Sequence, residues 1–281
     1  MIVVTGTKRS GTSMWMSALA AGGFEPIGIA YPASWGTSIR DANTGGFFES
    51  LLRVGIHHGT NPNPKTGRYI HHEDSRTNAV KIFAGGFVRT HRAFIDSVVM
   101  TVRPWREYVA SLTRLYRMEH AAAEKALGGS LRPRVVPDPA LEWWVDNFLI
   151  LEDLALRGFP ANIITYDNAL ADPLRFVGET VRGIGGDGDA AAASIHSDQR
   201  TQSNIAPYAH SSLSEGIIDV FDTLYETLNA GDPISPAFWK RMRSVQQDLA
   251  PDFMKGVRAA QEDQLRWARD VRAAAKKRRA T

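Results

Sequence analysis

The stretch IVVTGTKRSGTSMWMSALAAGG, residues 2–23, constrains the fold of this chain more than any other. Ile2, Val3, Val4 and Thr5 form a β-branched run of the kind a buried strand needs. Beyond the loop, Met14, Met16, Leu19 and Ala20 recur at helical spacing until Gly22 and Gly23, which suit a helix stop. Strand, glycine-bearing loop and helix in that order aim backbone N–H groups and a helix N-terminus at one point. Hydrogen bonds and the helix dipole favour an anion there. The loop GTKRSGTS fits the phosphate-loop template G-x-x-x-x-G-K-[ST] at Gly6, Gly11 and Ser13, but Thr12 stands in the lysine slot. Basic residues come earlier instead, as Lys8 and Arg9. The expectation is a loop that holds an anion other than the β,γ-phosphates of a nucleoside triphosphate.

The rest of the chain alternates apolar strands with helical patterns. Strands are expected at Asn78–Phe83, Ser97–Val102 and Asn162–Tyr166, and helices over Trp105–Met118, Pro139–Arg157 and Leu174–Ile184. Such alternation predicts an α/β fold, a three-layer sandwich around a central parallel sheet. The 281 residues can bury a full core, and one domain is expected over 1–281, with a helical C-terminal extension from about 214. Two loops, 59–76 and 128–139, have the length of binding lids. No cysteine is present, so a thiolate metal site or cysteine nucleophile is excluded. No apolar run has the length of a membrane span, and no charged-then-apolar leader precedes the first strand, so a cytoplasmic protein is expected. The net charge of +3 suits an anionic ligand but not, by itself, a nucleic-acid coat. The tail from Pro251 is helical in pattern and ends in Lys276, Lys277, Arg278 and Arg279; its plain reading is a solvated amphipathic helix packed on the domain.

VRPWREYVASL, residues 102–112, is the second informative stretch. Arg103 falls where a strand ends, and Pro104 suits the start of a helix, where its missing N–H is not needed. Ser111 lies eight residues past Arg103, about two turns into that helix. An arginine fork and a hydroxyl so placed can grip a phosphate; the arginine could equally pair with a carboxylate.

Taken together, these motifs resemble the sulfotransferases that use 3′-phosphoadenosine 5′-phosphosulfate. That family carries a loop [KR]-S-G-[TS]-[TS] for the 5′-phosphosulfate, matched by Arg9, Ser10, Gly11, Thr12 and Ser13. Its Arg and Ser eight positions apart, for the 3′-phosphate, are matched by Arg103 and Ser111. ITYDNALADP, residues 164–173, is similar to the segment whose tyrosine lies near the adenine, here Tyr166. GGFFES, residues 45–50, is similar to a G-[FY]-[FW]-E element of bacterial members. The resemblance covers residues 2 to about 185 and implies a P-loop NTPase-like fold, this phosphosulfate as co-substrate and no metal. It implies transfer to a hydroxyl or amine of a small-molecule, carbohydrate or lipid acceptor, with no nucleic-acid partner. Cofactor-binding residues would be Lys8, Arg9, Ser10, Gly11, Thr12, Ser13, Arg103, Ser111, Tyr166 and, by position and charge, Arg200 in SDQRTQSN. Arg9 and the loop N–H groups would stabilise charge on the leaving bridging oxygen. Lys81 matches a lysine that reaches the transferring sulfuryl group, or is simply a strand lysine snorkelling to the surface.

The base is less defined. Phe83 stands where many members carry a histidine, so Glu49 in GGFFES is the leading candidate. Its apolar neighbours Phe47 and Phe48 are expected to raise its pKa. His57 follows as a catalytic candidate, then His58, His71 and His72. Met14 stands where the family often has a stacking aromatic, with Trp15 one position late. The alternatives are a small-molecule kinase of the P-loop class, using ATP and magnesium, and a nucleic-acid-binding protein acting through its basic C-terminal end. Nothing in the sequence speaks to oligomeric state or to the acceptor's identity.

Overall fold

The computed structural model describes residues 1–31, 45–196, 200 and 213–280. Its first strand, β1 (Ile2–Gly6), is buried throughout and takes the middle of a five-stranded, all-parallel sheet. The others are β2 (Glu25–Ile27), β3 (Asn78–Lys81), β4 (Ser97–Val102) and β5 (Ala161–Thr165), in the order β2-β3-β1-β4-β5. Because β3 separates β1 from β2, the order differs from the dinucleotide-binding arrangement, in which the first two strands are neighbours. The short β2, a Glu-Pro-Ile segment, has no counterpart in the sequence reading. The strand expected over Asn78–Phe83 stops at Lys81, because Phe83 already caps the short helix α2 (Ala84–Phe87).

Successive residues of a strand point to opposite faces, and β1 feeds a core on each. Val3 joins Val80, Val98, Met100 and Val102 against α3 (Trp105–Leu127) and α4 (Pro139–Arg157). Ile2 and Val4 join Ala79 and Val99 against α1 (Thr12–Ala21), whose Trp15, Met16 and Leu19 are fully buried. Trp15 is thus a core residue. The second face is completed by α5 (Tyr166–Ala171), α6 (Glu179–Gly183) and α7 (Gly188–Ala193). Helix, sheet and helix form the three expected layers.

The C-terminal region is helical, with boundaries of its own. After α8 (Glu215–Ala230), a single 45-residue helix, α9 (Pro236–Ala280), runs through Pro251 instead of starting there. It packs on α3, α4 and α8. Its Met242, Val245 and Leu249 share the core of β1 and β4. Among the described residues no helix is long and apolar enough to cross a membrane. The side chains of Lys276 to Arg279 lie outside the described residues.

Phe221 of α8 is the hinge of the first core. It is fully buried, stacks on Trp144 at 4.9 Å and 4°, and meets Trp143 at 5.4 Å and Trp105 at 5.8 Å. Phe221→Ala is therefore expected to lower the unfolding free energy by about 3–5 kcal/mol in urea denaturation. A loss below about 1 kcal/mol would show that α8 contributes little to this core.

Candidate functional site

Parallel pairing brings the C-terminal ends of the strands to one edge, and the β1–α1 turn, Lys81, Arg103 and Tyr166 are carried there. Gly6 aligns with Thr101, and Lys81 with Val4. Arg103 and Tyr166 directly follow β4 and β5. Two glycines make the turn possible. Gly6 has φ +146°, and a Cβ there would meet the Thr101 carbonyl at 2.4 Å. Gly11 has φ +104°, and a Cβ there would stand 2.9 Å from the Tyr166 ring. Between them Arg9 is also left-handed, at φ 67°, a conformation uncommon for a side chain of this kind. The turn is tied from within and behind: Ser10 Oγ donates to the Thr7 carbonyl at 2.7 Å, and Thr101 Oγ1 donates to the Ser10 carbonyl at 2.9 Å.

The N-terminus of α1 opens from this turn. Helices α4, α5, α7 and α8 are capped by the side chains of Asp138, Thr165, Asp187 and Ser214, but no side chain caps α1. The first N–H groups of a helix have no intrahelical acceptor. Those of α1 face a cavity of about 1190 Å³ lined by Gly11, Thr12 and Ser13. Among the described residues six Lys or Arg side chains line it (Lys8, Arg9, Arg53, Lys81, Arg103, Arg134), against two carboxylates, Glu49 and Glu119.

At one end the arginines gather around Tyr166. The Arg103 guanidinium lies 4.7 Å from that ring's centroid and that of Arg200 5.9 Å. Arg103 is buried and donates to Glu107 at 3.2 and 3.3 Å and to the Arg9 carbonyl at 3.3 Å. Ser111 accepts from Arg9 Nε at 3.2 Å. The two residues matched to a 3′-phosphate thus belong to one cluster, joined through Arg9. Burial, with Arg103 next to it, pulls the Arg9 guanidinium down to about 10. Arg200 pairs with Glu107 and, at 2.9 Å, with Asp167; the rest of SDQRTQSN lies outside the described residues.

At the β3 end, GGFFES folds back over the loop. Glu49 and Ile29 exchange both backbone hydrogen bonds at 3.0 Å. Ser13 Oγ donates to the Phe47 carbonyl at 3.4 Å, and Lys81 Nζ to the same carbonyl. The strand lysine does not snorkel: it is 2% exposed and holds Glu49 at 2.7 Å. Glu49 also holds Arg53 at 2.6 Å. Burial pushes the Glu49 carboxyl up, as its phenylalanine neighbours suggest, but Lys81 and Arg53 outweigh it, and the net shift is downward. The expected rise is overturned by these two cations. Burial lowers the Lys81 ammonium despite Glu49.

Other expectations find different surroundings. Lys8 turns to α4, where it meets Glu142 at 3.2 Å while still lining the cavity. Ser10 is wholly buried, its hydroxyl used inside the turn. His57 Nδ1 accepts from the Gly59 N–H at 3.1 Å, and neither it nor His58, His71 or His72 lines the cavity. Of the two lid candidates only 128–139 contributes, through Arg134 to Pro137. Among the described residues no group of three or more His, Asp or Glu could hold a metal ion.

No protein-family model matches the chain, and no curated protein matches it. Several lining residues escaped the sequence reading: Arg53, Tyr116, Glu119, Arg134, His196 and the α9 residues Val257, Ala260, Gln261 and Gln264. One had a usable signal: Glu119 continues the Ser111–Leu115–Glu119 spacing along one face of α3.

Glu49→Gln leaves Lys81 buried without its carboxylate partner and is expected to destabilise the fold at neutral pH. The folded Glu49 carboxyl is more acidic than its ordinary value of 4.5, so its contribution is full above pH 4.5 and fades as pH falls through the lower folded value. Thermal melts of wild type and variant should therefore differ at pH 7 and converge in acid. A difference independent of pH would contradict the ion pair.

Proposed function

We propose that this protein is a P-loop-like sulfotransferase, which moves a sulfuryl group from 3′-phosphoadenosine 5′-phosphosulfate to an acceptor hydroxyl or amine. The observation that carries the reading is the pairing of two anion cradles on one sheet edge: the uncapped α1 N-terminus, and the Arg9–Arg103–Ser111 cluster beside Tyr166. A nucleotide with phosphates at both the 5′ and 3′ positions has one anion for each cradle and an aromatic base for the tyrosine. Thr12 in the lysine slot disfavours a triphosphate, whose β,γ-charge calls for that lysine.

On this reading the α1 N–H groups and Lys81 face the charge that builds on the bridging oxygen as the S–O bond breaks. Arg9 binds from the cluster with Ser111, which assigns it to the 3′-phosphate side rather than to the sulfuryl group. Glu49 holds Lys81 and Arg53 in place; the double ion pair makes it a poor base. At about 1190 Å³ the cavity lies just above the range of about 300–1,000 Å³ for small-molecule and cofactor sites, which leaves room for an acceptor beside the donor.

The test is a comparison of ligands on one variant. Arg103→Ala is expected to weaken binding of adenosine 3′,5′-bisphosphate by about tenfold to a hundredfold, the loss of charged hydrogen bonds, and to leave adenosine 5′-phosphate nearly unchanged. Equal losses for both ligands would make Arg103 a structural partner of Glu107 only.

A further inference from the structure

The end of the cavity away from Tyr166 has its own construction. Its wall is mainly apolar: Leu115 of α3, Val135, Val136 and Pro137 of the strap that joins α3 to α4, and Val257 and Ala260 of α9. The strap is fastened from behind. Asp263, itself 5% exposed, accepts from Arg132 at 2.5 Å and from the Val135 N–H at 2.9 Å. The wall is therefore built and closed by a helix; its polar members are Tyr116 of α3 and Gln261 and Gln264 of α9, set among the apolar side chains.

One carboxylate stands on it. Glu119 lies on the α3 face that starts at Ser111, about 12 Å further along at 1.5 Å per residue. Its contact with Arg134 is 3.6 Å, beyond hydrogen-bond length. Glu49, the other carboxylate of the cavity, is held by two cations at 2.7 and 2.6 Å. Burial raises the Glu119 carboxyl against the pull of Arg134 and Lys8, which moves it toward the range of a working acid–base group.

We propose that this wall is the acceptor site, with Glu119 as its general base and an alcohol on an extended apolar body as its substrate. The inference rests on the donor reading above. Glu119 takes the acceptor O–H proton, and the acceptor oxygen forms the new bond to sulfur. The bond from sulfur to the bridging oxygen breaks, and its electron pair leaves with the adenosine bisphosphate.

The full-length protein, with the phosphosulfate as donor, is assayed by mass spectrometry on primary alkanols from butanol to octanol and on an N-acetylglucosamine disaccharide. Specificity (kcat/KM) is expected to rise about threefold to fourfold per methylene, with no transfer to the disaccharide. Glu119→Gln should lower kcat by about a hundredfold to ten-thousandfold while leaving bisphosphate affinity within about twofold of wild type. Ala260→Phe, which fills the end of the wall, should shift the preferred alkanol to a shorter chain without weakening the bisphosphate. Preferential transfer to the disaccharide, rates independent of chain length, or no transfer to any alkanol by protein that binds the bisphosphate would overturn the acceptor site. A Glu119→Gln variant keeping more than about a third of wild-type turnover would overturn the base. Failure of the wild type to bind the bisphosphate at all would instead sink the donor reading, and this inference with it.

Discussion

The turn between β1 and α1 is possible only where two backbone positions carry no side chain. At Gly6 a Cβ would stand only 2.4 Å from the Thr101 carbonyl oxygen, and at Gly11 only 2.9 Å from the Tyr166 ring. That closeness binds three strands into one site: β1 supplies the turn, β4 supports it through Thr101, and β5 delivers Tyr166 to its flank. The direction of α1 follows, and with it the direction in which its uncapped N–H groups point. A side chain at Gly11 would displace the Tyr166 ring.

Charge is distributed to match. Among the described residues the cavity holds six cationic side chains and two carboxylates, and burial of Arg9, with Arg103 beside it, pulls its guanidinium down to about 10. Like charges are held this close only when the fold imposes it, and here the Arg9 carbonyl and Glu107 help to hold Arg103 in place.

Much of this was legible because its determinants are local. The β-branched run at Ile2–Thr5 and the apolar SVVMTV of β4 are long enough to be read as buried strands, and the glycine spacing of the turn is a matter of adjacent residues. Glu25–Ile27 was not legible: three residues with a central proline become a strand only through their register with β3. Pro251 misled in the other direction, being read as a start when the helix runs through it. At the site, the sequence shows Phe47 and Phe48 beside Glu49 and singles out Lys81, but gives no sign that Lys81, 32 positions away, pairs with Glu49 and, with Arg53, reverses the carboxyl's shift. The α9 wall was invisible for the same reason, since Val257 and Ala260 line the same cavity as the loop turn from the far end of the chain.

The most direct test of the two-cradle account is a calorimetric titration of the wild-type protein with adenosine 3′,5′-bisphosphate, set beside one with ATP and magnesium. Two anion cradles matched to the 5′ and 3′ positions predict that the bisphosphate binds at least about tenfold tighter, a difference of about 1.4 kcal/mol, with no requirement for magnesium. Tighter, magnesium-dependent binding of ATP would contradict the account and point to phosphoryl rather than sulfuryl transfer.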